Sequence, residues 1–114
     1  FWATWCGPCM QTMPLMEELA KEFHDSGIVF VAVNLEELPN QIKSTLERQK
    51  LNPVVALDRD GATAAKYQVS GIPQTVIVDK DGKIARLYVG GGPQLIEQLS
   101  EALRLLQMPA GGAE

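Results

Sequence analysis

Cys6 and Cys9 are the only cysteines of this 114-residue chain, and their placement constrains the fold more than any other feature. An apolar, aromatic run precedes them over residues 1–5, which is typical of the end of a β-strand. Over residues 8–23, apolar side chains recur every three or four positions, which predicts an amphipathic helix. The pair therefore marks a passage from strand to helix, with Cys6 at the helix N-terminus and Cys9 one turn into it.

The chemistry of the pair follows from this placement. Residues three apart on a helix share a face, so the two sulfurs can approach to disulfide-bonding distance. Gly7 relaxes the backbone at the turn, and Pro8 costs no hydrogen bond because first-turn N–H groups lack helical partners. Those free N–H groups and the helix dipole favour a thiolate at Cys6 by roughly 0.3 to 2 kcal/mol. We expect Cys6 to be exposed and to attack a substrate disulfide, and Cys9 to resolve the mixed disulfide.

Other interpretations of the pair are weaker. A static disulfide that closes so short a loop adds little stability. Thiolates are soft ligands, so a Cu(I)-binding pair is an alternative. Two cysteines and one histidine are too few for a closed zinc site or a disulfide-stapled scaffold. We therefore expect no metal and no cofactor.

Composition limits the domain organisation and the partners. The net charge of −4 gives no basic footprint, so we expect no nucleic-acid partner. We predict a single domain over residues 1–108 and a disordered tail over residues 109–114. The chain opens directly on the strand-like run, without Met or a signal peptide. We interpret this as a chain cut within or just after a strand, with any membrane anchor in the missing segment.

The rest of the pattern predicts a mixed β-sheet. Ile28–Val33 is a continuous apolar run, typical of a strand buried on both faces. Further elements are predicted as a polar helix, a short strand, a hairpin around an Asp-Gly turn and a final helix, over residues 38–46, 54–57, 74–89 and 93–106. This order gives parallel crossovers followed by an antiparallel pair. The expected fold class is α/β, with helices on both faces of a central mixed sheet.

Several segments resemble the thioredoxin superfamily. Residues 1–9, Phe-Trp-Ala-Thr-Trp-Cys-Gly-Pro-Cys, look like its active-site stretch almost residue for residue. Pro14 falls at the family's helix-kink proline, and Gly71-Ile72-Pro73 looks like the loop whose proline is cis and faces the cysteines. The TlpA/ResA (DsbE-like) group, which carries an extra αβ insertion, is similar over segments 34–37, 54–58 and 74–84 and over the predicted helix at 38–46.

The resemblance implies a thioredoxin-like fold and a thiol–disulfide oxidoreductase that reduces protein disulfides. A substrate peptide is expected to lie extended beside Ile72 and Pro73, with Trp5 as an apolar rim next to Cys6. Gly7 and Pro8 are expected to tune the redox balance. Implied partners are proteins with thiols or disulfides, such as apo-cytochromes, and an upstream electron-donor protein.

The resemblance also implies an extracytoplasmic location, with membrane attachment only through the missing N-terminal segment; a cytoplasmic location is the alternative. Two other functions stay open. One is a disulfide oxidant or isomerase, and the other is a copper-binding or adaptor module of a larger protein. One position departs from the family pattern, because some members have a proton-accepting glutamate where this chain has Thr12.

For several other residues, we expect an ordinary structural role and no part in the chemistry. We expect Trp2 in the core and Trp5 partly exposed. The three methionines of the first helix fit ordinary core packing better than a soft-metal stripe. Glu36 and Glu37 are expected to be solvated, and the triglycine at residues 90–92 is expected to be a loop.

Overall fold

The computed structural model describes residues 1–107. Within these residues the chain forms four α-helices, a short 3-10 helix and four β-strands. In chain order they are α1 (Gly7–Glu22), the 3-10 helix (His24–Ser26), β1 (Val31–Leu35), α2 (Pro39–Gln49), β2 (Val54–Asp58), α3 (Ala62–Lys66), β3 (Gln74–Val78), β4 (Ile84–Val89) and α4 (Pro93–Gln107). The α/β order predicted from the sequence is confirmed.

The strands form two pairs of opposite sense. β1 pairs in parallel with β2, with Val31 opposite Val54. β3 pairs antiparallel with β4, with Gln74 opposite Val89. The parallel pair needs a crossover, which α2 supplies, whereas the antiparallel pair needs only a tight turn.

The backbone of Phe1 and Trp2 joins these two pairs. The Trp2 N–H donates to the Val33 carbonyl at 3.0 Å, and the Leu35 N–H donates to the Trp2 carbonyl at 3.0 Å. On the other side, the Phe1 nitrogen donates to the Gln74 carbonyl at 2.7 Å, and the Gln74 N–H returns a bond to Phe1 at 3.3 Å. The segment ahead of the cysteines thus lies at the centre of a mixed sheet.

The prediction of a strand buried on both faces over residues 28–33 is wrong. The strand begins only at Val31, whose side chain is exposed, and Val29 ahead of it is also exposed. Burial within β1 alternates, with Ala32 and Asn34 buried. A run of β-branched residues satisfies strand propensity on either face, so it cannot by itself reveal that only one face is fully covered.

The core consists of two clusters, and α1 contributes to both. The first cluster surrounds the cysteines and includes Trp2, Ala3, Cys6, Cys9, Met13, Ala32, Ile42, Leu46 and Leu51. The second joins the end of α1 to α4 through Leu19, Phe23, Leu95 and Leu99. Met13 is a core residue, and the other two methionines of α1 pack against the clusters, which confirms the packing interpretation. Helix α1 is therefore fixed along its whole length.

Helix α3 is held by the end of β2. The Asp58 carboxylate accepts the Thr63 N–H at 3.0 Å and the Ala64 N–H at 2.8 Å. Burial alone raises the pKa of Asp58, but the hydrogen bonds from Ala64 and Thr63 outweigh it and hold the pKa below its ordinary value of 3.8. These hydrogen bonds anchor the first turn of α3 to the end of β2.

Within residues 1–107, no helix combines the length and the apolar character that crossing a bilayer requires.

Two sequence expectations concern the C-terminal end of the domain. The predicted tail at residues 109–114 and the domain boundary at residue 108 lie outside the described residues, so both stay predictions.

Candidate functional site

The cysteines lie at the N-terminus of α1, as predicted. Cys6 is the N-cap residue, with extended backbone angles of φ −89° and ψ 105°, and the helix begins at Gly7. Pro8 lies in the first turn, where its missing N–H costs nothing. The Cys9 N–H points back to the Cys6 sulfur at 3.2 Å. A backbone donor thus faces the sulfur that is predicted to carry negative charge.

Cys6 and Cys9 are joined by a disulfide, and their Cα atoms lie 5.2 Å apart. The expectation that Cys6 is exposed is wrong for this oxidised form, because Cys6 is only 5% exposed and Cys9 only 2%. The Cys6 sulfur lies 3.7 Å from the Ile72 carbonyl oxygen, and both cysteines belong to the first core cluster. Cys6 also lines a groove at the surface of the molecule.

The loop before β3 forms the far wall of that groove. The Ile72–Pro73 peptide bond is cis, as the resemblance implied. Pro73 is buried, and its carbonyl accepts the Gly90 N–H at 2.8 Å. The groove has a volume of about 540 Å³. Its lining brings together Trp5, Cys6, Gly7, Pro8, Leu35, Val69, Ser70, Gly71 and Ile72.

The two tryptophans occupy contrasting environments, as expected. Trp2 is 3% exposed and belongs to the core around the cysteines. Trp5 is 71% exposed and stands beside the disulfide. An exposed indole next to a reactive sulfur is an apolar surface that a polypeptide can cover.

Glu37 is buried, which contradicts the expectation that both adjacent glutamates are solvated; Glu36 is exposed. The Glu37 carboxylate accepts the Thr4 N–H at 2.7 Å and the Asn34 side-chain amide at 2.8 Å, and also the Thr4 hydroxyl. The Asn34 side-chain oxygen in turn accepts the Glu37 N–H at 3.3 Å. A buried carboxylate is tolerated when hydrogen bonds satisfy it. This network fixes Thr4, two residues ahead of Cys6.

Thr12 connects α1 to the triglycine loop. Its hydroxyl donates to the Pro8 carbonyl at 2.8 Å and accepts the Gly92 N–H at 3.1 Å. A Cβ atom at Gly91 would overlap the Thr12 hydroxyl and lie 3.2 Å from the Pro73 ring. The loop expected at residues 90–92 is confirmed, and it packs against both the cysteine helix and the cis-proline loop.

The hydrogen-bond network of Glu37 and the contact of Thr12 with the triglycine loop were not predicted from the sequence. Asn34 and Glu37 come three residues apart at the end of a strand, a spacing that suits a local side-chain hydrogen bond and could have indicated burial. The contact between Thr12 and the triglycine loop spans about eighty residues and has no local signal. Among residues 1–107, no three His, Cys, Asp or Glu side chains gather as metal ligands.

Comparison with known proteins assigns the family. The family model described as Redoxin matches residues 1–106. The chain belongs to the Redoxin family. It is 35% identical over 104 residues to the thiol-disulfide oxidoreductase ResA of Bacillus thuringiensis, a match that covers 91% of this chain and 59% of that relative. This Redoxin chain therefore spans about three fifths of the length of the relatives that it resembles.

Solved structures agree with this assignment. The Redoxin chain superposes on a thiol:disulfide interchange protein DsbE from Chlorobium tepidum with a TM-score of 0.88 and 32% identity, covering 95% of this chain and 77% of that one. StoA from Bacillus subtilis gives a TM-score of 0.77 and 26% identity over 90% of this chain and 78% of that one. The thioredoxin-like fold and the resemblance to the ResA and DsbE group are both confirmed.

Proposed function

We propose that this chain is a thiol–disulfide oxidoreductase that reduces protein disulfides through Cys6 and Cys9. The observation that carries the proposal is the position of the pair, at the N-terminus of α1 and at the base of a groove walled by the cis-proline loop. A dithiol in that position can both attack a disulfide and close on itself. The names of the relatives agree with this chemistry.

The proposed cycle transfers two electrons to the substrate. In the reduced chain, the Cys6 thiolate attacks one sulfur of a substrate disulfide, and the substrate's S–S bond breaks to release a first thiolate. Cys9, one turn away, loses its proton and attacks the Cys6 sulfur of the mixed disulfide. A second substrate thiolate leaves as the Cys6–Cys9 bond forms. The released thiolates take up protons, and an electron-donor protein restores the dithiol.

The neighbouring residues have proposed roles in this cycle. The N–H groups at the start of α1 stabilise Cys6 as a thiolate, both as nucleophile and as leaving group, and Gly7 and Pro8 hold that geometry. The backbone of Ile72, next to Pro73, lies against the Cys6 sulfur and can pair with an extended substrate segment. Trp5 supplies the apolar rim.

Partners and location are proposed on the resemblance to the TlpA/ResA group. We propose that the clients are proteins with disulfides, including apo-cytochrome cysteines, and that the chain works outside the cytoplasm. The disulfide oxidant or isomerase remains the alternative within the same chemistry. A copper-binding or adaptor module remains the alternative without turnover.

An insulin-reduction assay tests the proposal. With dithiothreitol as electron source, the wild-type chain is expected to accelerate precipitation of the reduced insulin B chain well above the rate with dithiothreitol alone. Cys6→Ser is expected to fall to the background rate, because the attacking sulfur is gone. Cys9→Ser is expected to be strongly impaired, since its mixed disulfide must be resolved by external thiol. Equal rates for wild type and Cys6→Ser would contradict the proposal.

A further inference from the structure

A second groove shares Trp5 with the groove at the disulfide. Its lining includes Thr4, Trp5 and Met10, together with Gln41, Ser44 and Arg48 of α2. Its volume is about 460 Å³. We call it the α2 groove. Because Trp5 lines both grooves, the two meet at the residue next to Cys6.

The α2 groove has a distinct electrostatic character. Among residues 1–107, one cation, Arg48, and no carboxylate line it, although the whole chain carries a net charge of −4. The other lining side chains from α2 are amides and hydroxyls, which can donate hydrogen bonds. A polar groove with one positive charge favours an anionic side chain over a cationic one.

The Arg48 guanidinium makes one hydrogen bond to a neighbouring side chain. One of its nitrogens donates to the Thr45 hydroxyl at 3.2 Å, which orients the group. Arg48 forms no ion pair with another described residue; the ion pair among these residues joins Lys21 and Glu18. A guanidinium carries five N–H donors in a fork that suits a carboxylate. The remaining donors are open to a ligand in the groove.

A client that is bonded to Cys6 through one of its cysteines continues as a polypeptide on both sides of that cysteine. On one side it can pair with the backbone at Ile72, under the proposed function. On the other side it can pass over Trp5, which is exposed and also lines the α2 groove. An extended chain advances about 3.3 Å per residue, so side chains within a few residues of the client cysteine reach the groove.

We propose that the α2 groove binds an acidic side chain of the client, within a few residues of its reacting cysteine, and that Arg48 is the residue that sets this preference. The inference rests on the proposed function and adds a substrate class to it. Arg48 acts on the encounter and on binding, not on the sulfur chemistry.

The test uses a series of disulfide peptides that differ only at positions flanking one cysteine, with Asp, Asn or Lys on either side. Single-turnover rates of the reduced 114-residue chain are measured by stopped flow at low ionic strength. For at least one flank, we expect the Asp peptide to react roughly three to ten times faster than the Lys peptide, because attraction of Asp and repulsion of Lys by one exposed charge act together. High salt is expected to reduce this ratio.

Variants separate the groove from the general charge of the chain. Arg48→Gln is expected to bring the Asp-to-Lys ratio to within about twofold of one, and Arg48→Glu to invert it. Lys43→Gln is the matched control, because Lys43 is an exposed cation on the same helix that does not line the groove. It removes the same charge and is expected to retain the preference.

The outcomes are distinct for the two proposals. Equal wild-type rates for the Asp and Lys peptides, or a preference that survives in Arg48→Glu or disappears in Lys43→Gln, would overturn the role of the α2 groove. A chain that reacts with none of the peptides, or that reacts equally well as Cys6→Ser, would instead overturn the proposed function.

Discussion

Glu36 and Glu37 are adjacent residues of one type in opposite environments. Glu36 is exposed, whereas the Glu37 carboxylate is buried and accepts hydrogen bonds from Thr4 and Asn34. The sequence could not separate them, because Thr4 lies 33 residues away and reaches Glu37 only once the sheet has aligned. By contrast, Cys6 and Cys9 could be paired from their spacing alone, since one helical turn fixes their separation.

The two glutamates provide a matched pair for measuring the network. Glu37→Gln removes the charge and gives the Thr4 N–H and the Asn34 amide a weaker acceptor, so we expect the free energy of unfolding to fall by about 1–3 kcal/mol. Glu36→Gln is expected to change it by less than about 0.5 kcal/mol. Urea denaturation of both variants checks this prediction. Equal effects would mean that the buried network contributes nothing to stability.

Helix α1 is the element on which the site depends. Its apolar periodicity and its helix-start residues predicted its bounds closely. The start of β1 was less predictable, because apolar residues at 28–30 continue the strand pattern while the chain is still outside the sheet. The contact of α1 with the triglycine loop could not be predicted, since it joins Thr12 to Gly92, residues far apart in the chain.

That contact predicts a specific intolerance at Gly91. Gly91→Ala is expected to lower the free energy of unfolding by about 1–3 kcal/mol, because the new methyl group overlaps the Thr12 hydroxyl. In a Thr12→Ala background the additional cost is expected to be smaller, since the overlapping oxygen is absent. Chemical denaturation of the two single variants and the double variant measures this coupling.

Gly71→Ala is the control for the Gly91 and Thr12 double-mutant experiment, because a Cβ atom at Gly71 meets nothing within 4 Å. It is expected to change stability by less than about 0.5 kcal/mol. If Gly91→Ala costs no more than Gly71→Ala, or costs the same with and without the Thr12 hydroxyl, the packing of the loop against α1 does not constrain the helix.

Across the whole molecule, the sheet brings three distant segments to one place: the start of α1, the cis-proline loop and the segment from Glu37 through α2. The resemblance to a known family predicted the first two. The role of the third emerges only from the fold, where it supplies the Glu37 acceptor for Thr4 and part of the lining of the α2 groove. The burial of Cys6 likewise depends on Ile72, 66 residues away.

Trapping of the mixed disulfide tests most directly that Cys6 attacks the substrate and that Cys9 resolves the intermediate. Reduced Cys9→Ser is mixed with a disulfide peptide, quenched in acid and examined by intact-mass and peptide-mapping mass spectrometry. We predict one peptide adduct, located on Cys6, and little or no adduct on Cys9 when Cys6→Ser is treated in the same way. An adduct that forms readily on Cys9, or none on Cys6, would contradict the account.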